Sequence, residues 1–309
     1  MTNDSSAAGM RWRHRFTILT ALSTLVLMGW GAFVTSIEAG LAVPDWPSSY
    51  DSYDPFNPWP GWWRVTPLLA EHGHRLLGML VGFLTTILAV WTWFAESRRW
   101  LRWLAVGALA LVSFQGLLGG LRVVWLSLDL AVVHAATAQL FLGLVVALAV
   151  FTSKSWLALD AARDGPRDNR LWRLSLTVPT AVWLQIILGA LLRHPGTGIH
   201  PWLVGFHVGG AVLVAAAVAA FLLRVWKGFR QSRVLYRGSW VLAGIVDLQL
   251  ILGLTAYLVT LDDAGMLQPS NLQVVVNTSH AVIGALLMAG AVLAVLGTHR
   301  WGRNPATSG

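Results

Sequence analysis

The stretch LLAEHGHRLLGMLVGFLTTILAVWTWFA, residues 68–95, joins a histidine-rich segment to a long apolar run. A helix needs about 20 mostly apolar residues to cross a bilayer. The stretch is long enough to span, with its first turns standing at the outer surface. Ionisable residues inside a membrane segment are costly. The segment Glu71-His-Gly-His74-Arg75 therefore marks a candidate functional site as well as a span.

Seven further apolar runs of similar length surround this one, and the composition agrees with them. Of the 309 residues, 56% are hydrophobic and only 12% are charged, about half the charge of a soluble domain. Mean hydropathy is +0.61. The sequence predicts an all-α membrane protein with eight transmembrane helices. The other seven runs are 16–37, 102–121, 129–152, 172–193, 201–223, 239–260 and 273–297.

The basic residues are unevenly divided between the two sides of the predicted bundle. With eight spans both termini lie on one side, and that side receives 18 of the 22 Lys and Arg residues. Positive residues stay cytoplasmic, so both termini are predicted inside. The net charge of +8 is thus a topology signal. The expected partner is the lipid bilayer, and no nucleic-acid partner is expected.

The chain has no cysteine, which excludes disulfides, thiolate ligation of haem and iron–sulfur clusters. The first run exceeds the length of a signal-peptide core and lacks a clear small-x-small cleavage pattern. We therefore expect it to remain as the first helix.

Repeated motifs predict two tandem four-helix bundles. Gln115-Gly-Leu-Leu-Gly-Gly in the third run is matched by Gln185-Ile-Ile-Leu-Gly-Ala and Gln249-Leu-Ile-Leu-Gly-Leu. Because each half has an even number of spans, the halves should be related by a pseudo-two-fold axis along the membrane normal. The predicted units are an N-terminal half at 1–153, a cytoplasmic linker at 154–171 and a C-terminal half at 172–309.

One histidine lies near the start of every second run, at the same predicted depth: His74, His134, His207 and His280. Imidazoles from facing helices are good axial ligands for haem iron. The repeat pairs His74 with His134 and His207 with His280, which predicts two bis-histidine haem sites. Hydrogen bonding between helices is the alternative for any single histidine. Zinc is less favoured, because no carboxylate or thiolate accompanies the second pair.

The remaining histidines are not expected to be ligands. His14 and His299 are predicted at the inner surface, and His194 and His200 in an exposed outer loop. His72 lies two residues before His74 and should point away from it on a helix.

Glu71 distinguishes the two halves. It precedes His74 by three residues on the same helical face, whereas Val204 takes that position before His207. It is either the partner of Arg75 in an ion pair, or a general base or electrostatic stabiliser beside a substrate. The two roles are compatible.

Three further features carry expectations. The glutamines of the repeated motif should form hydrogen bonds between helices, and the nearby glycines allow close approach of helices or of a flat cofactor. Asp247, within a span, should have a partner or a watery pocket. The long proline-rich loop at 38–67 is too polar for lipid and suits a lid over the first half.

The chain resembles the haem A synthase family. The resemblance covers nearly all of it and is strongest at Glu71-His-Gly-His74-Arg75 and at Gly40-Leu-Ala-Val-Pro-Asp-Trp-Pro47. It implies an eight-helix bundle in the bacterial cytoplasmic membrane, with haem sites toward the outer face. The implied reaction oxidises the C8 methyl of haem O to a formyl group through a hydroxymethyl intermediate. Unlike some family members, this chain has no cysteine pairs in its outer loops.

The resemblance also implies roles for particular residues. His207 and His280 would ligate a resident haem b cofactor. His74 and His134 would ligate the substrate haem, with Arg75 beside it and Glu71 as the catalytic group. Expected partners are haem O, haem O synthase, terminal-oxidase assembly proteins and an unknown electron acceptor. The four histidines alone fit two other functions equally well: a dihaem b-type electron-transfer protein and a haem carrier for oxidase assembly.

Overall fold

The computed structural model describes residues 2–157, 167–193, 200–263 and 268–303, and its regular secondary structure there is helical. A 3-10 turn at Trp62–Arg64 precedes the second helix. The α-helices are α1 Thr2–Ser36, α2 Thr66–Ala95, α3 Arg99–Val124, α4 Leu128–Phe151, α5 Lys154–Leu157, α6 Asn169–Arg193, α7 Pro201–Gly228, α8 Arg233–Asp262 and α9 Asn271–Trp301.

Eight of these helices are long and apolar enough to cross a membrane, which confirms the predicted spans. Their ends follow local chemistry. Ser127 and Ser270 cap α4 and α9, each accepting a hydrogen bond from a backbone N–H three residues on. A proline lies in the first turn of α2 and of α7, where its missing N–H does no harm. The short helix α5 was not predicted.

Consecutive long helices pack as antiparallel neighbours, and each half encloses its own apolar core. One buried cluster comes from α2, α3 and α4, and includes Val81, Leu101 and Phe141. The other comes from α6 to α9, and includes Phe221 and Leu242. The helices α1, α4, α6 and α9 join the halves: α4 and α9 pack on each other, α1 packs on both, and so does α6. Each contact in one half thus has a counterpart in the other.

At the end of the bundle where α2 finishes, a buried ion-pair cluster ties α1 to the α2–α3 connection. Glu96 accepts hydrogen bonds from Arg13, at 2.7 Å, and from Arg98, at 2.9 Å. Burial opposes ionisation of this carboxyl, but the hydrogen bonds and positive charge of Arg98, with the charge of Arg13, outweigh it and lower the pKa of Glu96 to about 2. The carboxylate therefore stays charged and paired at neutral pH.

The partner expected for Asp247 is absent among the described residues, and two histidines are more buried than expected. Asp247 lies exposed at the middle of α8, with neither hydrogen bond nor ion pair to any described residue. His14 and His299 are partly buried rather than superficial. His14 contacts Thr152 Oγ1, and the His299 ring stacks against Trp156. His200 is exposed as expected, and His194 lies outside the described residues.

Candidate functional site

Each of the four predicted histidines lies against a glycine of the preceding long helix. A Cβ added to the glycine would lie close to the imidazole Cε1. The distances are 2.8 Å for Gly31 and His74, 3.4 Å for Gly119 and His134, 3.1 Å for Gly189 and His207, and 3.0 Å for Gly253 and His280. A side chain at three of these glycines would push the imidazole away. The glycines thus set the place of each ring, which is compatible both with close helix packing and with cofactor binding.

The glutamine four residues before three of these glycines bonds to the histidine-bearing helix, as predicted. Gln185 Nε2 donates to the His207 carbonyl at 2.7 Å and lies 3.1 Å from its Nδ1. Gln249 Nε2 lies 3.2 Å from His280 Nε2. Gln115 bonds to Thr137. In α1 the corresponding residue is Leu27, so the fourth copy of the motif was not recognised from the sequence.

The His207 and His280 rings lie together, with centroids 6.5 Å apart and planes at 69°. Metal–imidazole bonds of about 2 Å, plus two ring radii, come to about 6 Å across one ligated metal. His280 Nδ1 is buried and has no hydrogen-bond partner in the described structure. The spacing and the unpartnered nitrogen fit axial ligation of one haem iron.

In the first half, His74 and His134 lie within electrostatic range of each other and of Arg122. The Nδ1 atoms of both rings are buried without a partner among the described residues. These two nitrogens are also suited to act as ligands of a metal. In the described ranges, no group of three His, Cys, Asp or Glu side chains forms a metal cluster.

Glu71 is 5% exposed, and each of its two carboxylate oxygens accepts a hydrogen bond. Its Oε2 accepts a hydrogen bond from Val43 N at 2.9 Å, and its Oε1 accepts one from Arg75 Nη2 at 3.2 Å. The predicted ion pair with Arg75 is therefore present. Three residues on, the same helix carries His74, which lies on the same helical face as Glu71. In α7 the uncharged Val204 occupies that position.

Arg75 and Arg122 bind the first loop to α2 and α3. The Arg75 guanidinium donates to three loop carbonyls: Val43 at 2.9 Å, Asp45 at 2.7 Å and Ser48 at 3.1 Å. Arg122 Nη2 donates to the Gly40 carbonyl at 3.1 Å. The segment Gly40–Ser49 thus lies across the first half, where the sequence predicted a lid.

Asp45 stiffens this loop without any disulfide. Its carboxylate accepts hydrogen bonds from Ser48 Oγ at 2.5 Å, Tyr50 N at 2.8 Å and Asp51 N at 2.9 Å. Slight burial raises the pKa of Asp45, but these hydrogen bonds outweigh it and the pKa falls below its usual value. These hydrogen bonds to Asp45 thus stabilise the loop in a chain that has no cysteine to form a disulfide.

His72 points away from His74, as expected, and supports the loop from below. It is 1% exposed, and its ring lies 4.8 Å from the Trp62 ring, edge to face. The sequence marked it only as a non-ligand; its packing against a residue ten positions earlier has no sequence signal.

Gly120 allows the Trp46 indole of the loop to lie directly on α3, in the space a Cβ would fill. We expect Gly120→Ala to displace the indole, at a cost of about 1–3 kcal/mol. The population of molecules with an open loop would then be at least about fivefold higher than in the parent. Chymotryptic cleavage at the exposed Tyr53 measures this.

Gly116 offers the matched control, because an added Cβ meets nothing within 4 Å. Gly116→Ala should leave the cleavage rate unchanged. Equal rates in the Gly120 variant and the parent would show that the indole does not hold the loop closed.

The fold and the paired histidines define a class: a multi-span membrane protein that handles haem. Residues 64–204 match the model of a family described as cytochrome oxidase assembly protein. Similarity to heme A synthases extends further, over most of the chain. By sequence, the particular proteins that this chain resembles are heme A synthases.

Three relatives show the extent of the similarity. The heme A synthase of Geobacillus kaustophilus is 24% identical over 259 residues, covering 76% of this chain and 77% of the relative. That of Bacillus mycoides is 24% identical over 295 residues, covering 88% and 91%. That of Methylobacterium sp. strain 4-46 is 27% identical over 338 residues, covering 88% and 92%.

Proposed function

We propose that this protein is a haem A synthase, which oxidises the C8 methyl of haem O to a formyl group through a hydroxymethyl intermediate. The observation that carries the proposal is an asymmetry between similar sites. Both halves place histidines on glycines, but among the described residues only the first adds a buried carboxylate, Glu71, three residues before a histidine on the same helix and bonded to the loop. The buried carboxylate of the second half, Asp263, lies at the end of α8 and accepts from Ser270 N. Electron transfer alone requires neither the carboxylate on the histidine-bearing helix nor the loop bonded to it.

We assign the second half to a resident haem b, ligated by His207 and His280. When bound, that haem would supply one-electron transfer from the methyl group under oxidation to an external electron acceptor. The protein's contribution is orientation. Gly189 and Gly253 set the two rings, while Gln185 and Gln249 bond to the histidine-bearing helices.

We assign the first half to the substrate, with His74 and His134 on the iron of haem O. Glu71 is the catalytic group, because it is the carboxylate that α2 presents beside these histidines. It would accept a proton from water attacking the oxidised methyl carbon, or stabilise positive charge there. Arg75 holds the loop above it, which excludes bulk water during the reaction.

The proposed setting is the bacterial cytoplasmic membrane, with both termini inside and the histidine level toward the outer face. The distribution of basic residues supports this orientation. We propose halves at 1–153 and 172–309, joined by a cytoplasmic linker at 154–171 and related by a pseudo-two-fold axis. The matching helix contacts of the halves support the axis. Haem O synthase and oxidase assembly proteins are the proposed partners.

The function is tested by co-expressing the chain with a source of haem O in an aerated host that makes no haem A. We expect haem A in the extracted pigment, identified by mass and by its absorbance. Recovery of only haem B and haem O, with a working electron acceptor and a haem-loaded protein, would instead support a dihaem electron-transfer protein or a carrier.

A further inference from the structure

A cation without an acidic partner stands near the second histidine pair. Arg193 ends α6, is partly buried, and lies within electrostatic range of His280. Its Nη2 donates to the Ala32 carbonyl at 3.0 Å and to Ser36 Oγ at 2.7 Å. Both acceptors are uncharged, and none of the ion pairs found among the described residues includes Arg193. A charge withdrawn from water in this way favours an anionic ligand.

The guanidinium is also only half used as a donor. Its Nε and Nη1 make no hydrogen bond to the described part of the chain. Arginine presents five N–H groups in a planar fork that matches a carboxylate. Ser36, which orients the Nη2 end, is itself held by Thr278 Oγ1 at 3.0 Å. Contacts from α1 and α9 thus fix the side chain and leave one edge for a ligand.

We propose that Arg193 binds a propionate carboxylate of the haem held between His207 and His280. This inference rests on the proposed function of that pair. Haem carries two carboxylates on one edge, and they favour the wetter side of a membrane site. Arg193 lies at the end of α6, on the side where α7 and α9 begin, and both histidines stand near those helix starts. Arg193 would therefore be placed to hold a carboxylate of a haem bound between these histidines.

The first half is built differently. Arg122 lies within electrostatic range of both His74 and His134, but the negative charge of Glu71 already opposes its positive charge, and it donates to the Gly40 carbonyl. A carboxylate arriving there gains less from it. This contrast suits a resident haem that is retained in the second half and a substrate that leaves the first.

The test compares haem b with its propionate dimethyl ester, each titrated into protein produced without haem. We expect the parent to bind haem b at the second site about tenfold more tightly than the ester. Arg193→Leu should abolish this preference, and Arg193→Lys should keep part of it. Arg64→Leu removes an exposed charge from the same side of the membrane and should leave the preference intact.

The outcomes separate the possible roles of Arg193. A purely structural role would weaken both ligands equally in Arg193→Leu and preserve the preference, and that result overturns the proposal. If Arg193→Leu does not fold, an unchanged preference in Arg193→Gln does the same. If the parent binds neither ligand through His207 and His280, the result contradicts the proposed function of the pair, on which the role of Arg193 depends.

Discussion

Glu71→Gln should lower haem A formation about 100-fold or more, while the protein still folds and binds its haems. General acid–base catalysis typically contributes about 10²- to 10⁴-fold. Glutamine keeps an oxygen that can accept from Val43 N, so the main loop contact survives. It cannot accept a proton or carry negative charge. The measurement is the ratio of haem A to haem O in extracted pigment.

Two variants separate chemistry from loop closure. Arg75→Leu removes the hydrogen bonds to the loop carbonyls but leaves the carboxylate, so we expect a smaller loss. Asp129→Asn neutralises an exposed acid in the first turn of α4 and should have no effect. If Arg75→Leu matches Glu71→Gln, the carboxylate acts only by holding the loop, and its catalytic assignment fails.

The eight spans could be predicted because the signal for each is local. An apolar run of about 20 residues is stable as a transmembrane helix whatever it packs against. Helix ends were less accurate where a polar segment simply continues the helix. α1 begins at Thr2, well before the apolar run at 16, and the polar segment before the run has no proline to stop the helix.

The site was predicted only as far as its residues form a repeated pattern. The histidines and Gln-x-x-x-Gly motifs recur, so their pairing could be inferred. The contact between His74 and Gly31 could not be inferred, because α1 has Leu27 at the position where the other motifs have glutamine. The partners of Arg75 were also hidden. They are backbone carbonyls, and any residue type supplies those.

Asp247 shows that the energetic cost of an acid in a membrane span does not by itself predict where the side chain lies. An acid inside a span is expensive unless it is paired or hydrated, which led us to expect a partner within the bundle. The residue instead faces outward from α8. Burial on a helix depends on which side its neighbours occupy. Gln249, two residues on, faces α9, so helix geometry already points Asp247 away from that neighbour.

His280→Gly or His207→Gly should abolish the low-spin absorbance of the resident haem. Each substitution removes one of two axial ligands in a pair whose ring centroids lie 6.5 Å apart. His200→Ala, an exposed histidine seven residues before His207, should retain the full spectrum. Reduced-minus-oxidised spectra of purified protein measure the change.

Imidazole rescue distinguishes a lost ligand from a lost hydrogen bond. Glycine leaves a cavity of ring size beside Gly253 in the His280 variant, and added imidazole should enter it and restore the low-spin spectrum. A histidine that served only packing would not be replaced in this way, because free imidazole is not tied to α9. If His74→Gly removes the resident haem while His280→Gly keeps it, the two halves exchange roles. The carboxylate of Glu71 would then stand beside the cofactor, and the asymmetry that supports the enzyme would favour electron transfer.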